Sequence, residues 1–90
     1  MDVGEKPFIA KDISASTSAV KNGRGILRGM YVNSTSSGTI KIYDSLTQAN
    51  LVLFNTITPA VGYQNLGDVS FNTGLSVTIG GTLDVTLIYR

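Results

Sequence analysis

The segment "YVNSTSSGTIKIYD", residues 31–44, breaks an apolar-rich stretch with Asn, Ser, Thr and Gly and then resumes an apolar and polar alternation. Ser and Thr hydroxyls bond nearby backbone groups and therefore favour turns. Residues opposed across an antiparallel pair point to the same face, so pairing Val32 with Ile40 and Met30 with Ile42 lines up one apolar face. The segment predicts a β-hairpin with residues 34–38 as its loop.

The same register has a consequence for two charged residues. Continuing it away from the loop brings Arg28 opposite Asp44. Opposite charges that face each other across two strands attract weakly when they are exposed to water. We therefore predict a cross-strand ion pair between Arg28 and Asp44.

A second hairpin is predicted from "LSVTIGGTLDVTLIYR", residues 75–90. A two-residue turn at Gly80 and Gly81 would set every apolar residue against a polar one. A three-residue loop, 80–82, instead opposes Ile79 with Leu83 and Val77 with Val85. Since a one-residue slip moves a whole strand's apolar set to the other face, the three-residue loop is favoured.

Beyond Gly25 the chain is rich in Val, Ile, Leu, Thr, Tyr and Phe, punctuated by Gly and Asn, and no stretch holds a helical apolar period. The predicted strands cover residues 8–13, 26–33, 39–44, 51–58, 64–71, 75–79 and 83–89. The expected fold is all-β, a small antiparallel β-sandwich, jelly-roll-like, of about seven or eight strands. Residues 1–24 are expected to form a partly extended N-terminal arm, and residues 25–90 the sandwich domain.

Composition narrows the classes of function. Ninety residues make one domain, and with no Cys and no His in the chain we expect neither disulfides nor a structural zinc site. The net charge is +1 and its seven basic residues form no patch, which argues against nucleic-acid binding. The N-terminus has charges where a signal peptide needs an apolar core, and no apolar run approaches the ~20 residues of a membrane span. We expect a soluble, cytoplasmically made protein that leans on oligomerisation or docking for support.

Motifs that carry chemistry are weak. In "GRGILRG", residues 23–29, the third glycine arrives one position late for a dinucleotide fingerprint. The "NST" at Asn33 is expected to be loop sequence, and Asp44, Asp68 and Asp84 lack the spaced oxygen ligands of a calcium loop. Hydroxyls are plentiful but have no His to activate them. We expect no enzymatic activity, no metal and no cofactor.

Two features suggest contact surfaces. "LVLF", residues 51–54, is apolar on both faces, which is typical either of ordinary burial under the arm or a loop, or of a subunit interface. In the hairpin register, Tyr31 and Tyr43 share the face opposite Met30 and Ile42. Such a pair fits a protein interface or, as an alternative, a platform for sugars.

The ordered set "GILRGMYVNSTSSGTIKIYDS", residues 25–45, and "NTITPAVGYQNLGDVSFNTGLSVTIGGTLDVTLIYR", residues 55–90, resembles small structural proteins of tailed phages, namely head decoration (cement) proteins and related virion modules. The resemblance covers residues 25–90. It implies a β-sandwich, frequently trimeric, on the outer capsid, and no catalytic residues.

We therefore expect a phage capsid decoration protein, located in the virion, that binds the major capsid protein at capsomer junctions, stabilises the shell and assembles as a homotrimer. The alternative is a fibre or tail module that binds host glycan through Tyr31, Tyr43 or Tyr63. The residues expected at protein interfaces are Phe8, Ile9, Tyr31, Tyr43, Leu51, Val52, Leu53 and Phe54.

Overall fold

The computed structural model describes residues 7–48 and 51–90, and every regular element within them is a β-strand. The strands are β1 (Ile9–Ile13), β2 (Thr17–Asn22), β3 (Gly25–Tyr43), β4 (Val52–Ile57), β5 (Gly62–Phe71) and β6 (Gly74–Tyr89). All pairings are antiparallel and belong to one sheet. The all-β class is confirmed, with six strands. No helix in the described part of the chain could cross a membrane.

β3 and β6 pair along nearly their whole length and form a central ribbon. Leu27 faces Tyr89 at one end of the ribbon, and Tyr43 faces Ser76 at the other. β1 and β5 flank the first half of the ribbon, residues 25–32 and 85–89. β2 and β4 flank the second half, residues 40–43 and 74–77. Every other strand therefore pairs with this ribbon.

Both predicted hairpins are wrong. Val32 faces Val85 and Ile40 faces Ile79, so residues 34–38 lie inside β3 and residues 80–82 lie inside β6. Alternation of apolar residues fixes the face to which a side chain points, but the same alternation fits a distant strand as well as a neighbouring one. The correct partner of each half-strand is remote in sequence.

The predicted ion pair between Arg28 and Asp44 is also wrong. Arg28 Nε lies 3.1 Å from a carboxylate oxygen of Asp68 on β5, because β5 and not residues 39–44 flanks this part of β3. Asp44 lies beyond the far end of β3.

The small polar residues in the middle of β3 do not form a turn. They lie where β3 is bulged and its backbone approaches that of β6 closely. The register of the ribbon shifts between Val32 and Ser34 and again between Ser36 and Ser37. Ser37 has a positive φ of 54°. A Cβ on Gly38 would overlap the backbone carbonyl of Thr82 on β6. Close approach and bulging therefore explain the Ser and Gly content of residues 34–38.

Within the segment expected to be a partly extended arm, the strand predicted over residues 8–13 matches β1, whereas β2 lies at residues 17–22, where no strand was predicted. β2 pairs with β6, but its register shifts between Thr17 and Lys21, and Ala19 has a positive φ of 49°. This bulge interrupts the two-residue alternation by which strands are recognised in sequence.

A single hydrophobic core contains side chains from both halves of the ribbon. The ribbon residues with no exposed surface include Leu27, Met30, Val32, Ile40, Ile42, Leu75, Val77, Val85 and Leu87. Complete burial of each such side chain contributes about 1.5–3 kcal/mol relative to exposure. The apolar face chosen from the sequence is therefore the buried face, even though its strand partners differ.

Candidate interaction surfaces

The structure places the predicted interface residues in different environments. Phe8 and Ile9 lie at the start of β1, Tyr31 lies on the exposed face of β3, and residues 51–54 lie at the start of β4. Tyr43, in contrast, is only 7% exposed. These positions do not form one patch.

β4 combines an unpaired edge with exposed apolar side chains. It pairs with β3 through Ile40 with Ile57 and Tyr43 with Val52, and no described strand pairs with its other edge. Leu51 is 64% exposed and Val52 44%, and Ile57 is also exposed. We call these three residues the β4 surface. A free strand edge with apolar neighbours is a site to which another chain can add.

The apolar pattern of residues 51–54 is explained by a division of roles. Leu53 and Phe54 are half-buried and pack against the core. Leu51 and Val52 face solvent. Leu53 and Phe54 are thus partly buried in the core. Leu51 and Val52 are the residues that an interface would bury.

Tyr43 belongs to the interior. Its hydroxyl lies 3.2 Å from the hydroxyl of Thr78, which lies diagonally across the ribbon, two residues beyond Ser76. The shared exposed face predicted for Tyr31 and Tyr43 is wrong, because it depended on the hairpin: both residues lie on β3, and only Tyr31 points to solvent.

Tyr31 instead lies beside Tyr63, its direct partner on β5. The ring centroids are 6.5 Å apart with planes tilted by 44°, and the two residues are 50% and 46% exposed. A Cβ on Gly29 would overlap the Tyr63 hydroxyl and ring. The glycine therefore provides the space in which the Tyr63 side chain lies across β3.

On one side of the tyrosines a polar cluster surrounds Asn33. Its Nδ2 donates toward Thr86 Oγ1 at 3.0 Å, Asp84 Oδ1 at 3.1 Å and Asp12 Oδ1 at 3.4 Å. A hydrogen bond with Asp84, with some desolvation and the Asp84 charge, raises the pKa of Asp12. The same bond, with that from Asn33, lowers the pKa of Asp84. Asp12 is therefore the first of the pair to take a proton on acidification.

On the other side lies an arginine fork. Arg28 Nε and Nη2 donate to the two carboxylate oxygens of Asp68 at 3.1 and 3.3 Å. This hydrogen bonding lowers the pKa of Asp68 and raises that of Arg28. A shallow depression of about 400 Å³ adjoins the pair and is lined by Arg28, Tyr63, Asn65, Gly67 and Asp68.

The start of β1 is fixed by cation–π contacts. The guanidinium carbon of Arg28 lies 3.8 Å from the centroid of the Phe8 ring, and that of Arg90 lies 4.6 Å away. Arginine over an aromatic face is attracted by the ring quadrupole. Phe8 is therefore engaged within the chain, whereas Ile9 next to it is exposed.

Neither the polar cluster around Asn33 nor the pair of Arg28 and Asp68 was predicted from the sequence. Asn33 was assigned to a loop, and Asp12, Asp84 and Thr86 are brought together only by the pairing of β1 and β3 with β6. Their one sequence signal is that each occupies an outward position of an alternating strand. Among residues 7–48 and 51–90 no group of three or more acidic side chains is placed to hold a metal ion.

Comparison with protein-family models, curated proteins and solved structures finds no match to this chain. The resemblance to phage decoration proteins stays a prediction.

Proposed function

We propose that the chain is a structural protein of a bacteriophage virion, a decoration (cement) protein that assembles as a homotrimer on the outer surface of the head and binds the major capsid protein. The observation that carries the proposal is the β4 surface, an unpaired strand edge bordered by exposed Leu51, Val52 and Ile57. The motif order across residues 25–90 supports the phage assignment.

The proposed architecture is a two-layer sandwich of jelly-roll type, in which the two halves of the ribbon fold over each other. Two observations support it. The single core joins side chains of both halves. In addition, the hydroxyl of Tyr89, in the first half, donates to the carbonyl of Val20 at 3.4 Å, although β2 pairs with the second half.

We assign the β4 surface to contact between copies of the chain. Interfaces between permanently associated copies are more apolar than interfaces between proteins that also exist apart. Leu51, Val52 and Ile57 carry no charge, and small domains often need oligomerisation for stability. Attachment to the shell then follows from several weak contacts made at once by the joined copies.

Sedimentation velocity of the purified chain tests the assignment. We expect a species of three times the 9.5 kDa of one chain. Val52→Asp should dissociate it, because burying an unpaired charge is costly. Ser70→Asp, which adds the same charge at an exposed position of β5, should remain trimeric. A weak interface has a Kd of about 1 μM, so a wild-type chain that is still monomeric at about 100 μM would contradict the proposal. A Val52→Asp variant that remains trimeric would also contradict it.

A further inference from the structure

The exposed tyrosines lie between two sets of polar side chains on the same sheet face. Tyr31 faces Thr86 on one side and Tyr63 on the other. Asn33 follows Tyr31 by two positions and bonds Thr86, and Asn65 follows Tyr63 by two positions. We call Tyr31, Tyr63, Asn33, Asn65, Arg28 and Asp68 the tyrosine face.

This combination of groups matches the chemistry of a sugar ring. A pyranose has an apolar face of C–H bonds, which packs on aromatic rings, and a rim of hydroxyls, each both donor and acceptor. Half-exposed tyrosines offer the aromatic surface. Asn33 offers its amide oxygen, because its Nδ2 donates to Thr86 and Asp84. Asn65 offers its Nδ2, because its Oδ1 accepts from the N–H of Gly67 at 2.9 Å. Arg28 and Asp68 offer a donor and an acceptor at the edge of the depression. Its volume of about 400 Å³ lies in the range of small-molecule sites.

The polar groups are already held in place without a ligand. Arg28 and Asp68 fix each other through two hydrogen bonds, and Asn33 is oriented by acceptors at 3.0 and 3.1 Å. The Tyr63 ring lies in the space that Gly29 leaves open. Groups that are ordered before binding lose less conformational entropy when a ligand arrives.

We propose that the tyrosine face binds neutral oligosaccharide. Neutral sugar fits because the charge of Arg28 is engaged by Asp68, while Asp84 and Asp12 at the other end repel anions. A protein partner fits less well, because it would bury the carboxylates of Asp68, Asp84 and Asp12, and Asp is depleted at protein interfaces. The proposal is independent of the trimer and of the capsid assignment.

An amide-resolved NMR titration of the whole chain tests this site. The probes are maltohexaose, cellohexaose and chitotetraose as neutral sugars, and a heparin tetrasaccharide as an acidic one. We expect saturable shifts at Tyr31, Tyr63 and Asn65 with at least one neutral probe and a Kd of about 1 mM, as befits a shallow site. Tyr31→Ala should weaken that binding at least about tenfold, since ring packing is lost.

Two further variants separate a site from a structural role. Tyr63→Phe keeps the ring and should keep most of the affinity, whereas Tyr63→Ala should lose it. Val61→Ala removes an exposed apolar side chain that is not part of the tyrosine face and should bind as the wild type does. Tyr31→Ala serves as the test if Tyr63→Ala fails to give a dispersed spectrum.

The proposal is overturned by absence of shifts with all neutral probes at about 20 times the expected Kd, where a real site would be some 95% occupied. It is equally overturned by binding of the heparin fragment alone, or by unchanged neutral-sugar binding in Tyr31→Ala. Sedimentation of the same samples reports the trimer separately, so each hypothesis fails by its own measurement.

Discussion

The carboxylate of Asp44 accepts a hydrogen bond of 2.8 Å from the backbone N–H of Thr73, which lies 29 residues further along the chain. The N–H groups of Asn72 and Gly74 donate to the same side chain at 3.0 and 3.4 Å. Asp44 therefore ties the end of β3 to the connection between β5 and β6. Burial alone would raise the pKa of Asp44, but the hydrogen bonds from Thr73, Asn72 and Gly74 lower it overall.

Asp44→Asn should lower the free energy of unfolding at pH 7 by about 1–3 kcal/mol, because a charged acceptor of several N–H groups is replaced by a neutral one. The folded pKa of Asp44 lies below its unfolded value, so its contribution is present above about pH 4 and is lost as the pH falls through the folded pKa. Urea unfolding at pH 7, 5 and 3 should show the two proteins converging in acid. An equal gap at all three pH values would contradict this role.

Asp12→Asn should act with the opposite sign. The pKa of Asp12 is raised in the folded chain by its bond with Asp84, by desolvation and by the Asp84 charge. Its favourable contribution is therefore complete below the unfolded pKa and disappears as the pH rises through the folded pKa. The variant should unfold at a higher urea concentration than the wild type at pH 7, with an advantage that vanishes near pH 3 and shrinks in high salt. A lower midpoint at pH 7 would show that repulsion between the carboxylates is unimportant.

Tyr43 should affect stability and not surface binding. Tyr43→Ala removes a buried aromatic side chain and should cost about 3–5 kcal/mol. Tyr43→Phe loses only the hydrogen bond with Thr78 and should cost about 0.5–1.5 kcal/mol. Equilibrium unfolding measures both. A Tyr43→Ala variant as stable as the wild type would place this ring outside the core.

Gly38→Ala distinguishes the continuous ribbon from a hairpin. In the ribbon a Cβ at Gly38 would overlap the Thr82 carbonyl and the Leu83 side chain, so we expect a loss of about 1–3 kcal/mol from overpacking. In a flexible loop over residues 34–38 the same change would be nearly neutral or slightly stabilising. Ser36→Ala, at an exposed position of the same segment, is the control and should stay within about 0.5 kcal/mol.

The sequence predicts which face of each strand is buried, but not which strands pair with each other. Val32, Ile40, Val77 and Val85 were expected on the buried face, and all are fully buried. Alternation cannot tell whether Val32 faces Ile40 across a local turn or Val85 across a remote strand, since both choices satisfy the same parity. β2 was not predicted for a related reason: the bulge at Ala19 interrupts the two-residue alternation of buried and exposed side chains.

The candidate surfaces were predictable to different degrees. The apolar run of residues 51–54 drew attention to β4, a strand that combines a free edge with exposed apolar side chains. The first two residues of the run are exposed and the last two pack against the core. The neighbourhood of Tyr31 was not predictable, because Tyr63 and Asp84 reach it only through the pairings of β3 with β5 and β6.

The proposed role predicts that a tailed phage encodes this chain, and electron cryo-microscopy of the particles of that phage tests the role most directly. We predict density for the chain on the outer surface of the head, in groups of three, with Leu51 and Val52 of each copy buried against a neighbouring copy. Density in the tail, or particles that lack the chain, would contradict the account.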